Sequence, residues 1–185
     1  MKKVILAALV AVASLSANAQ VWLGGDLGLG FTKANSNADT QTTFTIAPEV
    51  GYMFNDKWGV YADLDFTTVS KALVDDNGKT ISSNSFGFDV AARYVFAQTG
   101  IAKFFLDGGF GLDFYNNSRG SIFDIKIQPG VSIAASDKVS FVAKLGGIGF
   151  RSANEKAQAA GLGNKSEFGL NATNSAVTFG VYYNF

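Results

Sequence analysis

Eight times along this chain, apolar side chains recur at every second position, and the two faces so defined are chemically very different. The clearest case is the stretch from Val177 to Phe185. Val177, Phe179, Val181, Tyr183 and Phe185 are apolar or aromatic, whereas Ala176, Thr178, Gly180, Tyr182 and Asn184 are small or carry a polar tip. A period of two is the signature of a β-strand with one greasy and one polar face. Any fold for this chain must therefore house many long amphipathic strands.

The same alternation predicts strands at about 21–32, 43–54, 58–68, 84–97, 102–115, 122–135 and 139–150, and an eighth from near Thr173 to Phe185. In strand seven the parity breaks at Gly146-Gly147, which a bulge explains. Pro48 and Pro129 fall mid-strand, each removing a ladder donor. Between strands, polar segments at 33–42, 70–83, 116–121 and 151–167 alternate with the short turns Asn55-Asp56-Lys57, Gln98-Thr99-Gly100 and Ser136-Asp137-Lys138. Within the last long segment, Asn154 to Ala160 suits one short helix.

Two eight-stranded architectures compete. A soluble lipocalin-type barrel buries its apolar face inward, yet here that face carries Phe86, Phe88, Phe104, Phe110 and many neighbours, too bulky for a narrow interior. Glycine and charge fit inside instead, with Phe, Leu and Ile against lipid. The expected fold is all-β: a transmembrane antiparallel up-and-down barrel, the one closed form in which strands satisfy every backbone group in a bilayer. Strands of roughly 10–13 residues are long enough to cross at a tilt, and the long–short rhythm of connections fits long outer loops and short periplasmic turns. Tyr52, Phe54, Trp58, Tyr94, Phe96, Phe104, Tyr183 and Phe185 would ring the short-turn end as an interfacial aromatic girdle.

The N-terminus supports export. Met1-Lys2-Lys3, an apolar run from Val4 to Val12 and Ala17-Asn18-Ala19 read as a secretory signal peptide, residues 1–19, cut between Ala19 and Gln20. The apolar run is too short to span a membrane as a helix. Removing Lys2 and Lys3 from 15 basic residues leaves 13 against 15 acidic ones, so residues 20–185, the expected barrel domain, carry a charge near −2. That balance offers no electrostatic footprint for nucleic acid. Cysteine and histidine are both absent, which removes disulfides, Ser-His-Asp or Cys-His catalysis and the usual zinc ligands. Neither Gly161-Leu-Gly-Asn-Lys-Ser166 nor Asp75-Asp76-Asn77-Gly78 completes a phosphate or calcium loop. No cofactor, metal or catalytic residue is expected.

Signal peptide, alternation, loop rhythm and terminal Phe185 together resemble the small eight-stranded bacterial outer-membrane proteins: the outer membrane protein beta-barrel domain or porin-like family, of OmpX/Ail, OmpA transmembrane-domain and OmpW type. The resemblance covers nearly all of residues 20–185. It implies residence in the bacterial outer membrane, contact with its lipid, and insertion by the barrel assembly machinery. That machinery reads a terminal signal that Val181, Tyr183 and Phe185 resemble. The lipid A palmitoyltransferase of similar size uses an active-site histidine, which this chain lacks. The protein is expected to be non-enzymatic and monomeric.

The polar faces place Asp26, Glu49, Asp63, Asp65, Asp89, Asp107, Asp113 and Asp124 inside the barrel with Arg93, Lys126 and Lys144. Counted from the short-turn ends, Asp26, Glu49, Asp63, Asp107 and Lys144 fall at similar depth, with Arg93 slightly lower. Each buried charge needs a partner, and eight strands leave an interior just wide enough for side chains. The expected role is a charged, largely plugged lumen with surface loops for interaction or envelope integrity. The alternative is a small porin or carrier for a hydrophobic or cationic solute, suggested by the acid excess and by eleven inward glycines.

Overall fold

The computed structural model describes residues 20–32, 40–74, 80–171 and 177–185. The expected signal peptide, residues 1–19, lies outside the described residues, as do 33–39, 75–79 and 172–176 of the expected loops and eighth strand. Ten β segments build the wall: β1 (Gln20–Thr32), β2 (Gln41–Met53), β3 (Trp58–Val74), β4 (Thr80–Thr99), β5 (Ala102–Tyr115), β6 (Gly120–Ala134), β7 (Val139–Leu145), β8 (Gly147–Ala153), β9 (Glu167–Asn171) and β10 (Val177–Asn184). One short helix, α1 (Glu155–Ala159), lies between β8 and β9.

All pairings are antiparallel. The order β5-β4-β3-β2-β1-β10-β7-β6 returns on itself because β5 also pairs β6, so the sheet is closed. β8 continues β7 along the upper half of β6, and β9 pairs β8 in turn, so the ten segments make eight staves. Closure falls between the first and last strands, from Trp22 opposite Asn184 to Gly28 opposite Thr178. This leaves no open edge over that span, the condition for strands in a membrane.

Strand boundaries differ from the sequence expectation at the outer ends. β3 and β4 run on through most of 70–83, although that stretch has no apolar period. Above the apolar belt the backbone ladder continues, joined by Thr42 N donating to Ser70 Oγ at 3.0 Å and Gln41 Nε2 to Lys71 O at 3.1 Å, with a register shift between Val69 and Leu73 around Lys71, whose φ is 53°. The eighth strand begins not near Thr173 but at Glu167, resuming at Val177. The helix expected at 154–160 is α1, capped by Asn154, whose Oδ1 accepts from Ala157 N at 2.9 Å. Ala157 packs on Ile122 and Ala153, all nearly fully buried, and anchors this segment at the outer end of the barrel.

Both mid-strand prolines face interruptions in the ladder. On β6, residues 122–127 pair with β8 and 130–134 with β7. Between them Gln128 and Pro129 oppose Leu145, Gly146 and Gly147, one residue more, and that extra residue is the bulge. Pro129 thus pairs with Leu106 on β5 but has no regular partner on the side of β7 and β8. Pro48 pairs with Gly25 on one side, but on the β3 side the ladder skips Ala47 and Pro48 between Ile46–Phe66 and Glu49–Asp63. The bulge also needs glycine: a Cβ on Gly147 would collide with the Ile127 carbonyl oxygen.

Short turns close the opposite end. Asn55 Oδ1 accepts from Lys57 N and Trp58 N at 2.9 Å each, Ser136 Oγ accepts from Val139 N at 3.1 Å, and Gly100 takes φ +51°. Outward at this end the aromatic rings meet in pairs. Trp58 lies 4.6 Å from Tyr94, Tyr183 5.0 Å from Phe185, Tyr52 5.3 Å from Phe54, and Phe96 6.4 Å from Phe104.

Candidate functional site

Strand parity turns the large apolar side chains outward, where Leu27, Phe66, Phe110, Ile125, Phe141 and Phe179 are exposed to the surroundings, and gathers polar ones inside. The register then decides which inward charges meet. Arg93 stands directly opposite Asp107, and Glu49 opposite Asp63, which is itself opposite Asp89.

Five of the inward charges converge near the short-turn side. Arg93 Nε and Nη2 donate to Asp107 Oδ1 and Oδ2, both at 2.8 Å, a bidentate pair. Arg93 Nη2 also lies 3.7 Å from Glu49 Oε1. Lys144 Nζ bridges Glu49 Oε2 at 2.6 Å and Asp26 Oδ2 at 2.7 Å. Tyr182 OH is shared between Glu49 Oε2 at 2.9 Å and Asp26 Oδ1 at 3.2 Å, while Trp22 Nε1 donates to Glu49 Oε1 at 2.7 Å. All five charged residues are buried, Glu49 at 2 % exposure.

Aromatic rings enclose the cluster. The Arg93 guanidinium lies 4.0 Å from the Phe105 centroid and 5.1 Å from both Trp22 and Tyr61, close enough for cation–π attraction. Lys144 Nζ sits 4.6 Å over Tyr61. Trp22 fits because its neighbour on β2 is Gly51, where any Cβ would run into the indole. These four inward aromatics (Trp22, Tyr61, Phe105 and Tyr182) had no assigned role in the sequence reading. Their parity was the available signal: each occupies the face otherwise given to glycine and charge.

The remaining inward charges sit higher. Asp63, Asp65, Asp89, Asp113, Asp124 and Lys126 line a cavity of about 190 Å3 towards the outer end, together with Arg151. Lys126 Nζ is 2.6 Å from Asp89 Oδ1 and 3.8 Å from Asp124 Oδ1. Asp65 accepts from Thr67 Oγ1 at 2.7 Å. Asp63, directly opposite Glu49, lines this cavity, as do Asp26 and Lys144 of the Glu49 cluster, and Arg93 joins that cluster. A second cavity, about 420 Å3, opens at the short-turn end, lined by Trp22, Arg93, Lys103, Phe105 and Tyr182 among others. The two cavities share no lining residue. The ionic and aromatic cluster lies between them.

Among curated proteins, none matches this chain. Among solved structures, the outer membrane protein OprG from Pseudomonas aeruginosa is 13 % identical, with 90 % of this chain and 95 % of that chain covered and a TM-score of 0.49. Neisserial surface protein A (NspA) is 16 % identical over 90 % and 96 %, with a TM-score of 0.46. The Vibrio cholerae outer membrane protein OmpT is 12 % identical over 91 % and 52 %, with a TM-score of 0.34. The family described as "Outer membrane protein beta-barrel domain" matches residues 4–185. With that match over almost the whole sequence, the closed sheet, the outward apolar face and the inward charges belong to a bacterial outer-membrane barrel, a member of the outer membrane protein beta-barrel domain family.

Proposed function

We propose that this protein is a non-enzymatic integral outer-membrane barrel whose lumen is sealed by the Glu49 cluster and whose outer loops mediate surface contact or envelope integrity. One observation carries the reading. Side chains from β1, β2, β3, β4, β5, β7 and β10 meet across the lumen in a network where Asp26, Glu49, Arg93, Asp107 and Lys144 are all buried and all paired. Such a network leaves no unpaired charge in its own layer to attract a permeating ion, and its rings fill the space between the ion pairs. The residue types agree, since a chain without His or Cys has few routes to hydrolytic or metal chemistry. Its partners under this reading are outer-membrane lipid and, during insertion, the barrel assembly machinery; the barrel acts as a monomer. Pure protein reconstituted in planar bilayers is expected to be electrically silent, and reproducible single-channel steps from it would overturn the reading.

A second reading, a small pore or carrier for cations, is favoured by the outer cavity, where six carboxylates face Lys126, Lys144 and Arg151. Converting Asp63 and Asp113 to lysine tests it. If uptake and ion selectivity do not change, this second reading fails.

A further inference from the structure

Three acids of the outer cavity have no cation of their own. Asp26 is tied to Lys144 at 2.7 Å, and Lys126 Nζ lies 2.6 Å from Asp89 and 3.8 Å from Asp124. Arg151 reaches towards Glu167 at 3.8 Å. Asp63, Asp65 and Asp113 make no ion pair within 4 Å among the described residues, and of these three Asp65 alone accepts a side-chain hydrogen bond, from Thr67. All three face inward and are half-buried, so what stays exposed of them faces the cavity they line.

Glycine makes the room. Asp65, Gly87 and Asp113 stand in line across β3, β4 and β5, and one rung lower Asp63, Asp89, Gly111 and Asp124 continue to β6. A Cβ on Gly87 would collide with Asp113 Oδ1, and one on Gly111 would come within 2.8 Å of Asp124 Oδ2. These carboxylates therefore lie over the glycines. Asp124 adds a separate sign: it is 9 % exposed, lines the cavity, and its Oδ1 is buried without a hydrogen bond. A buried acceptor left open is costly, and a donor brought into the cavity offsets that cost.

The acids are spread along the wall, which decides the shape of the cation. β3 and β5 are two strand spacings apart, roughly 10 Å at the backbone. A calcium ion wants about 6–8 oxygens around one point, and among the described residues no three acids are placed to hold one metal ion. At about 190 Å3 the cavity is smaller than the roughly 300–1,000 Å3 of drug-sized ligand sites, so its occupant must be slim.

We propose that the outer cavity binds a short aliphatic diamine, one ammonium on Asp63 and Asp65 of β3 and the other on Asp113 of β5. By the rule that long loops face the exterior, it enters from that side. The cavity is the one on which the cation-carrier reading rests, but binding needs no passage past the Glu49 cluster. Titration reads binding and bilayer recording reads passage, so either can fail alone.

The test is calorimetric titration of the whole protein in nanodiscs of zwitterionic lipid, with empty nanodiscs subtracted. The probes are putrescine, butylamine, calcium chloride and succinate. Putrescine is expected to bind saturably and at least about tenfold more tightly than butylamine, the gain from a second charge-assisted hydrogen bond. Succinate should not bind, and equimolar calcium should not displace putrescine. Asp113→Asn should lower putrescine to the affinity of butylamine. Gly87→Ala keeps every charge but pushes the Asp113 carboxylate aside, and should weaken putrescine about tenfold. Asp137→Asn, exposed in a turn at the other end of the barrel, should change nothing. Absence of saturable putrescine binding up to about 10 mM, equal affinity for butylamine, displacement by equimolar calcium, or binding unchanged in Asp113→Asn would overturn the proposal. The comparison of ligands on unaltered protein needs no variant to fold.

Discussion

Glu49 accepts from Trp22, Tyr182 and Lys144 at once, with Arg93 a further partner, and Arg93 in turn spans Glu49 and Asp107. Removing one member of such a buried set strands the others, which typically costs about 3–5 kcal/mol. Arg93→Ala should therefore lower stability by about that amount in urea titrations of vesicle-inserted protein. It should also produce single-channel steps in planar bilayers where the unaltered protein gives none; a silent Arg93→Ala barrel of full stability would contradict both the energetics and the seal. The acids themselves were legible as inward residues because parity alone sets the face. Their partners were not. Tyr182 and Asp26 are 156 residues apart, and no local pattern reports a contact of that range. Asp63, counted at the depth of Glu49, does stand directly opposite it, but depth alone does not say which inward charges pair.

At the level of elements, the bulge between β7 and β8 keeps the faces in order. Across Gly146 the outward positions change from Phe141 and Leu145 to Ile148 and Phe150, and Arg151 stays at the cavity. Deleting Gly146 would remove the extra residue and restore strict alternation, with Ile148 and Phe150 still outward and Arg151 still inward. The deletion variant is expected to keep a heat-modifiable band after refolding; loss of that band would refute the bulge as the cause of the parity break. The closing strand carries a second prediction. Phe185 N donates to Val21 O at 2.9 Å, and its ring meets Tyr183. Removing Phe185 should reduce the amount inserted in membranes in cells, and normal levels would count against its role in assembly. The parity break at Gly146 was visible in the sequence, because a slip of one residue inverts a period of two. The start of the eighth strand was not: β9 offers only Phe168 and Leu170 as apolar signal, on the parity opposite to that of Val177 and Phe179.

For the molecule as a whole, eight staves and closure between β1 and β10 were readable from the repeated alternation and the rhythm of the connections. What the interior does was less so, because two cavities and the cluster between them arise from side chains on all eight staves at once. The apolar exterior predicts gross behaviour. Folded protein should run faster than its boiled form on SDS gels, since the detergent coats the outer face without opening a sheet that has no free edge between β1 and β10. The chain also contains its own pair of optical probes. Trp22 and Trp58 are its only tryptophans, the first 3 % exposed against the Arg93 cluster, the second 49 % exposed beside Tyr94 on the outer wall. Bromine atoms on lipid acyl chains should quench Trp58 and spare Trp22, so the emission left in a Trp58→Phe variant would be nearly indifferent to brominated lipid. Insertion and closure of the lumen can then be timed separately, by two colours of the same unlabelled protein.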